Sequence, residues 1–156
     1  MGIPDICGMV HHSAVIGEPP ESREHWAGFG VPCAPLVHPS ARLEAFVTVD
    51  GGVRSPTTIG AYAWLMKHVH IGHDAVIGAE CELAPGTLIG GHAVLGYYVK
   101  CVIGVKVLPF RRIGDNAVIG AGAVVTHDVP PGETWVGNPA RQLLDKDRNP
   151  LPHSQR

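Results

Sequence analysis

Apolar residues recur at every sixth position over most of this chain. The series runs from Ile59 to Val125 without a slip, which makes twelve consecutive hexads. Its members are Ile59, Leu65, Ile71, Ile77, Leu83, Ile89, Leu95, Cys101, Val107, Ile113, Ile119 and Val125. Four positions after each member comes a small or β-branched residue, with Arg111 as the exception, and glycine often follows the apolar residue directly. Neither a helix nor an alternating strand has a period of six.

The same phase is present upstream in a second block of hexads. Its apolar members are Val31, Val37, Leu43 and Val49. Val53 falls four positions after the last of them, in the place of a small residue. The residues 55–58 then interrupt the phase, and we interpret them as a four-residue insertion between the two blocks. A fragment at 10–17 is interpreted as an earlier partial repeat, followed by a loop over 18–30.

A six-residue period predicts a triangular solenoid of short parallel strands. Each hexad supplies one flat face and one turn, so three hexads close a coil. The aliphatic residue points to the axis, the small residue fits near the corner, and glycine permits the turn. We therefore predict an all-β fold with an N-terminal segment at 1–30, a β-helix domain at 31–137 and a short polar C-terminal tail at 138–156. A short helix is predicted at 141–147.

Composition narrows the class of protein. The chain contains 20 Gly and 14 Pro among 156 residues, yet 45% of its residues are hydrophobic, so the turns surround an ordinary core. Charged residues make up 17% and the net charge is −2, which argues against binding to nucleic acid. No apolar run is long enough to span a membrane, and no secretion signal is evident. The four cysteines include no C-x-x-C pair, which favours a reducing, cytoplasmic setting.

Residues 31–141 resemble the hexapeptide-repeat acyltransferases. The segment 65–74, LMKHVHIGHD, is similar to the active-site segment of the UDP-N-acetylglucosamine acyltransferases and related sugar N-acetyltransferases. The segments 121–131, AGAVVTHDVPP, and 137–141, GNPAR, are similar to the last coil and exit of acetyl-CoA-dependent members. The resemblance implies a left-handed parallel β-helix assembled as a homotrimer, with active sites between subunits.

Acyl transfer from a thioester needs a base for the acceptor and a donor for the oxyanion, and histidine suits the first role. The family's catalytic His-Asp pair maps onto His73 and Asp74, and its oxyanion donor maps onto the N–H of Gly91. In the hexad register His73 and Asp74 lie at a corner, with side chains expected to point outward. Gly91 follows His73 by 18 residues, which is one full coil, so the two are expected to stack.

The resemblance also assigns binding residues. His70, His92 and Lys67 are expected to contact a small-molecule acceptor. Ala121, Gly122, Thr126 and Arg141 are expected to hold the donor, since GNPAR favours acetyl-CoA or another short acyl-CoA. Leu108-Pro109-Phe110 stands where carrier-protein-dependent relatives have His-Gln-Phe, and the family's long C-terminal helical domain is not evident. Both departures weaken the case for a long acyl donor.

The residue that binds the phosphate of the donor is not decided by the sequence. His127 replaces the lysine that such relatives use for phosphate, and Arg111 or Arg112 is an alternative anchor. The expected function is transfer of a short acyl group to an amino or hydroxyl group of a sugar or nucleotide sugar.

Two alternatives remain open at this point. A structural β-helix trimer could retain these residues without activity, and its polar tail could bind a protein partner. A γ-class carbonic anhydrase-like metal site is suggested by the spacing of His68 and His73. No histidine lies between residues 47 and 60 to supply a third ligand, so no metal is expected.

Overall fold

The computed structural model describes residues 10–19, 33–144 and 149. These residues form eighteen short strands. The strands are β1 (Val15–Glu18), β2 (Leu36–Val37), β3 (Arg42–Leu43), β4 (Thr48–Asp50), β5 (Thr58–Ile59), β6 (Trp64–Leu65), β7 (His70–Ile71), β8 (Val76–Ile77), β9 (Glu82–Leu83), β10 (Leu88–Ile89), β11 (Val94–Leu95), β12 (Lys100–Cys101), β13 (Lys106–Val107), β14 (Arg112–Ile113), β15 (Val118–Ile119), β16 (Val124–Val125), β17 (Thr134–Val136) and β18 (Arg141–Gln142). Over the described ranges, no helix has the length and apolar character needed to cross a bilayer.

The strands build three sheets, because each strand from β1 to β13 pairs with the strand three places further along the chain. At the C-terminal end β15 pairs with β17, and β17 pairs with β18. The sheets have the orders β1-β4-β7-β10-β13-β16, β14-β11-β8-β5-β2 and β18-β17-β15-β12-β9-β6-β3. Within the long block, partners such as Leu88 and Lys106 are one 18-residue coil apart. The predicted all-β triangular solenoid is confirmed. The fragment at 10–17 belongs to it, since β1 pairs in parallel with β4.

The interior contains the two rows of residues that the period predicts. The twelve apolar members of the long block are at most 3% exposed, as are the small residues between them. Cys81 and Cys101 are buried as free thiols in these rows, and burial raises the pKa of Cys81 to about 11. Each fully buried aliphatic side chain contributes about 1.5–3 kcal/mol to stability. Val31 and Cys7 lie outside the described residues.

Three turns per coil form three corners, which we name by one residue each. The His73 corner consists of the turns after β4, β7, β10, β13 and β16. The Tyr98 corner consists of the turns after β2, β5, β8, β11 and β14, and the Gly122 corner of those after β3, β6, β9, β12 and β15. The fourth place of the hexads from Leu43 to Ile119 has a left-handed backbone, except in the hexad that contains the insertion. In the described part of the chain, its non-glycine occupants are Phe46, Tyr62, His68, Asp74, Glu80, His92, Tyr98, Phe110 and Asn116.

The glycines in the second place of the hexads have a different role from the one expected. They do not adopt positive φ; they lie where successive coils come closest. A Cβ atom added at Gly78 would lie 2.3 Å from the carbonyl oxygen of Gly96 in the next coil. Close approach of the backbone therefore explains these glycines, and the turn itself does not.

Gly78→Ala is expected to destabilise the protein by about 3 kcal/mol, because backbone atoms of the next coil cannot yield as a side chain can. Gly86→Asn is the matched control. Gly86 has φ +73 with no atom within 4 Å of an added Cβ, and Asn116 already occupies the equivalent place. The control should change stability by about 0.5 kcal/mol. Urea unfolding measures both variants, and equal losses would contradict this account of the glycines.

Two expectations from sequence are corrected at the ends of the regular region. Val53 is partly exposed, whereas Thr57 is fully buried in the row of small residues, so the four extra residues are 53–56. The helix predicted at 141–147 begins instead with a strand, because Arg141 pairs with Val136 in an antiparallel ladder. Residues 145–147 lie outside the described residues.

Candidate active site

The His73 corner stacks three aromatic rings from three successive coils. The His73 and His92 rings meet edge to face with centroids 5.0 Å apart. The His92 ring stacks on Phe110 at 4.6 Å. The coils are joined here by the His92 N–H, which donates to the His73 carbonyl at 2.9 Å. Successive coils therefore do bring His73 and His92, which are 19 residues apart, together at this corner, and they add Phe110, which the sequence analysis did not assign to the site.

Asp74 lies at the corner, as its register suggested, but its carboxylate is buried. Its side chain has no exposed surface, whereas the His73 side chain is 21% exposed. The Asp74 carboxylate accepts hydrogen bonds from the main-chain N–H groups of Val53 and Arg54 at 2.8 Å each and from that of Ser55 at 2.6 Å. The Ser55 hydroxyl donates a further bond at 3.2 Å. Residues 53–55 fold over Asp74, so the carboxylate has no solvent-exposed surface.

These contacts keep the Asp74 carboxylate ionised. Burial alone would raise its pKa, since a charge loses hydration in the interior. The hydrogen bonds from Val53, His73, Ser55 and Arg54 act in the opposite direction and prevail, so the pKa of Asp74 lies well below its usual range. An ionised carboxylate can only accept hydrogen bonds.

The ionised carboxylate fixes the orientation of His73. His73 Nδ1 lies 2.8 Å from Asp74 Oδ2, so the neutral imidazole carries its proton on Nδ1 and donates it to the carboxylate. The Nε2 atom then has a free lone pair. It faces Gly91, where an added Cβ would lie 2.7 Å from it. His73 is thus prepared to accept a proton on Nε2.

The main-chain N–H of Gly91 meets no acceptor among the described residues. The equivalent amides of Ala61 and Ala79 at the Tyr98 corner are also unbonded in this part of the chain, so a free amide is common to these turns. Contact with His73 distinguishes Gly91, because its missing side chain makes room for the ring. This donor and the Nε2 atom of His73 therefore lie at one corner, as an acyl-transfer site requires.

The other two residues that were expected to contact the acceptor substrate, His70 and Lys67, lie apart from each other. His70 projects from the outer surface of β7, where its Nδ1 contacts the Thr48 hydroxyl at 2.8 Å and its Nε2 lies 3.9 Å from Asp50 Oδ2. Lys67 is exposed at the Gly122 corner, and the structure does not bring it to the His73 corner within one chain.

The predicted donor residues occupy two corners at the C-terminal end of the solenoid. Ala121 and Gly122 form the turn after β15, and Gly122 has φ +65 with open space around it. Thr126 directly follows β16 and so lies at the His73 corner, where its hydroxyl contacts His127 Nδ1 at 2.9 Å. Arg141 lies on β18 and donates from Nη1 to the Ala140 carbonyl at 2.7 Å. These residues do not form one pocket within a single chain.

Arg111 occupies a place in the interior row, and an ion pair accommodates it. Its Nη1 atom lies 3.5 Å from Asp128 Oδ1, and its Nε donates to the Pro109 carbonyl at 3.4 Å. One third of the side chain remains exposed, so the guanidinium leaves the core at the His73 corner. This contact explains how the single exception in the small-residue series is tolerated.

His73, Asp74 and His92 also form a group of side chains of the metal-ligand type. Their nearest ligand atoms lie within 4.8 Å of one another. Both oxygens of Asp74 are already engaged with main-chain N–H groups, and Nδ1 of His73 faces that carboxylate. Two imidazoles remain, one fewer than the three protein ligands of a catalytic zinc site.

Comparison with known proteins finds a family model and relatives that all contain hexapeptide repeats or are named as acyltransferases. The bacterial transferase hexapeptide (six repeats) family model matches residues 56–91. The chain is 35% identical over 146 residues to UDP-3-O-acylglucosamine N-acyltransferase of Caulobacter sp. (strain K31), with 86% of this chain and 41% of that protein covered. It is 34% identical over 125 residues to acyl-[acyl-carrier-protein]–UDP-N-acetylglucosamine O-acyltransferase of Stenotrophomonas maltophilia (strain R551-3), with 78% and 46% covered. The chain thus spans less than half the length of these two relatives.

Solved structures share the fold. The UDP-N-acetylglucosamine O-acyltransferase of Moraxella catarrhalis superposes with a TM-score of 0.80 at 28% identity, with 87% of this chain and 53% of that one covered. The PerB protein of Caulobacter crescentus, solved with CoA and GDP-perosamine, gives a TM-score of 0.60 at 27% identity, with 86% and 56% covered. With its uninterrupted hexads folded into three sheets, the chain contains the hexapeptide repeat and shares the left-handed β-helix fold of these proteins.

Proposed function

We propose that this protein transfers a short acyl group, acetyl in the simplest case, from CoA to an amino or hydroxyl group of a sugar or nucleotide sugar. One observation carries the proposal: His73 has its Nδ1 atom on an ionised carboxylate, and its Nε2 atom lies where a side chain of Gly91 would be. Relatives named as acyltransferases of UDP-sugars, and one structure holding CoA and a GDP-sugar, support the substrate class.

The chemistry follows from the positions of these groups. The acceptor hydroxyl or amine gives a proton to His73 Nε2 as its oxygen or nitrogen attacks the thioester carbonyl. The carbonyl oxygen becomes an oxyanion, which the Gly91 N–H stabilises by a hydrogen bond. When the tetrahedral intermediate collapses, the C–S bond breaks and the proton on His73 passes to the departing CoA sulfur. Asp74 stays ionised and stabilises the imidazolium in between.

A homotrimer completes the proposal. The residues assigned to the donor lie partly at the Gly122 corner, whereas the base lies at the His73 corner. Threefold assembly would place the Gly122 corner of one subunit against the His73 corner of the next. Leu36 and Val76, on the outer surface of one sheet, are exposed in the single chain and would be available for such contacts.

Titration calorimetry with acetyl-CoA and with free CoA tests the donor assignment. We expect saturable binding at one site per chain, weakened about tenfold in Arg141→Ala through loss of a charged phosphate contact. Arg42→Ala is the control, since Arg42 lies on β3 at the other end of the same sheet. Absence of binding at millimolar CoA from a well-folded protein would instead favour the structural β-helix trimer.

A further inference from the structure

The coil that precedes Asp74 is longer than the others at the His73 corner. Ten residues separate Val49 from Ile59, whereas six separate the apolar members of every later hexad. Gly51 and Gly52 are buried, Thr57 is buried in the small-residue row, and the surplus residues 53–56 lie between them near the surface. The insertion is therefore a local loop that leaves the register of the β-helix unchanged on both sides, as β4 and β5 pair regularly with β7 and β8.

The insertion replaces the usual hydrogen bond of the turn at Asp74. From His68 onward the N–H of the fourth place otherwise donates to a carbonyl of the preceding coil, as His92 does to His73 at 2.9 Å and Asn116 to Tyr97 at 2.8 Å. In the first coils, Phe46 and Tyr62 donate to serine hydroxyls at 3.0 Å. The Asp74 N–H instead donates to the Thr57 hydroxyl at 3.0 Å. A buried threonine thus supplies the acceptor for the main chain, and three amides of the loop are directed at the Asp74 side chain.

Glu80 is a carboxylate residue in the fourth place of a hexad that has no such loop, so its exposure can be compared with that of Asp74. It has the same left-handed backbone, with φ of 60° against 58° for Asp74, and its side chain is exposed. Asp74 is 5% exposed. The φ angles of the two residues are nearly the same, but only the Asp74 carboxylate accepts hydrogen bonds from the amides of the insertion. Successive main-chain N–H groups that converge on one point form a binding site for an anion, and here the anion belongs to the protein.

We propose that residues 53–55 and Thr57 form a positioning element that fixes Asp74, and through it the general base His73. This inference rests on the proposed function and adds residues to its machinery that do not touch the substrate. The titratable neighbours at this corner are His73, which contacts the carboxylate directly, and His92, which contacts the His73 ring. Arg54 takes part through its main-chain N–H.

Deletion of residues 53–56 provides a sharp test. It puts Gly52 in the fourth place, where glycine can adopt the left-handed backbone, and Thr57 in the small-residue place, so the coil acquires a regular hexad. We expect the fold to be retained, as measured by circular dichroism and thermal unfolding. Without the loop amides, the pKa of Asp74 should return toward its usual range of about 4. Carboxyl ¹³C NMR of labelled aspartate, assigned with Asp74→Asn, measures this titration without any substrate.

The catalytic consequence should depend on Asp74. The deletion is expected to lower kcat by about 10–100-fold with little change in KM, because a loosened base is misplaced rather than absent. In the Asp74→Asn background the same deletion should cost almost nothing further, since the element acts through that carboxylate. If the loop had only a structural role, the fold losses in kcat from the deletion and from Asp74→Asn would multiply in the double variant. That outcome would overturn the inference.

Thr57→Val keeps the proposal testable if the deletion does not fold. It removes the acceptor for the Asp74 N–H, and Thr58→Val is the matched control because the Thr58 hydroxyl contacts Pro56 instead. We expect a lower kcat and a raised pKa of Asp74 in Thr57→Val only. An unmoved titration of Asp74 in this variant and in the deletion would refute the positioning role. A moved titration in a protein without acyltransferase activity would leave it standing and reject the proposed reaction.

Discussion

Replacement of His73 by alanine is expected to lower kcat for acyl transfer by about 10²–10⁴-fold, the usual contribution of a positioned general base. The reason is geometric as well as chemical. The Nε2 atom of His73 lies where a side chain of Gly91 would be, while Nδ1 is held by Asp74. Steady-state kinetics with a short acyl-CoA and a panel of nucleotide sugars would measure the loss.

His68→Ala is the matched control for His73→Ala. His68 also lies in a turn, but at the Gly122 corner, where its ring stacks on Phe46 at 5.0 Å. Activity should survive this change, and the thermal stability of both variants should stay close to that of the parent protein. Retention of full activity in His73→Ala would show that the mechanism is wrong. Equal loss in both variants would favour the metal-site alternative, in which the two histidines act together.

The period of six predicts most of the fold because it reports a local constraint repeated in every coil. An apolar residue must point to the axis once per hexad, and no distant contact can alter that requirement. The same arithmetic places site residues: a separation of 18 returns the chain to one corner, so His73 and Gly91 meet. A separation of six moves to another corner, which is why Lys67 lies apart from His73 despite its place in the same segment.

The burial of Asp74 could not be predicted, because the phase of the insertion is ambiguous in the sequence. Val53 and Thr57 are both β-branched and suit the row of small residues equally well. Only closure of the coil shows that Thr57 is interior and that residues 53–56 form the loop. The direction of three amide groups depends on that choice. The strand at Arg141 was missed for a related reason, since it forms against an edge of β17 that exists only in the folded solenoid.

Gly91→Ala is expected to lower kcat by about 10²–10³-fold while leaving the protein folded. An alanine in this place is compatible with the turn itself, because Ala61 and Ala79 occupy the same place at the Tyr98 corner. The conflict is with the base. The added Cβ would lie 2.7 Å from His73 Nε2 and 3.0 Å from the two adjacent ring carbons. The ring must therefore move away from Asp74 or cover the oxyanion donor.

Kinetics and thermal unfolding of Gly91→Ala separate these effects. We expect an unchanged unfolding midpoint, a large fall in kcat, and altered imidazole ¹⁵N shifts that report the changed environment of His73. In a His73→Ala background there is no ring to displace, so Gly91→Ala should cost little further activity. Unchanged kcat in the single variant would mean that the reacting groups do not assemble between His73 and Gly91. The base and the oxyanion donor would then have to be sought elsewhere on the solenoid.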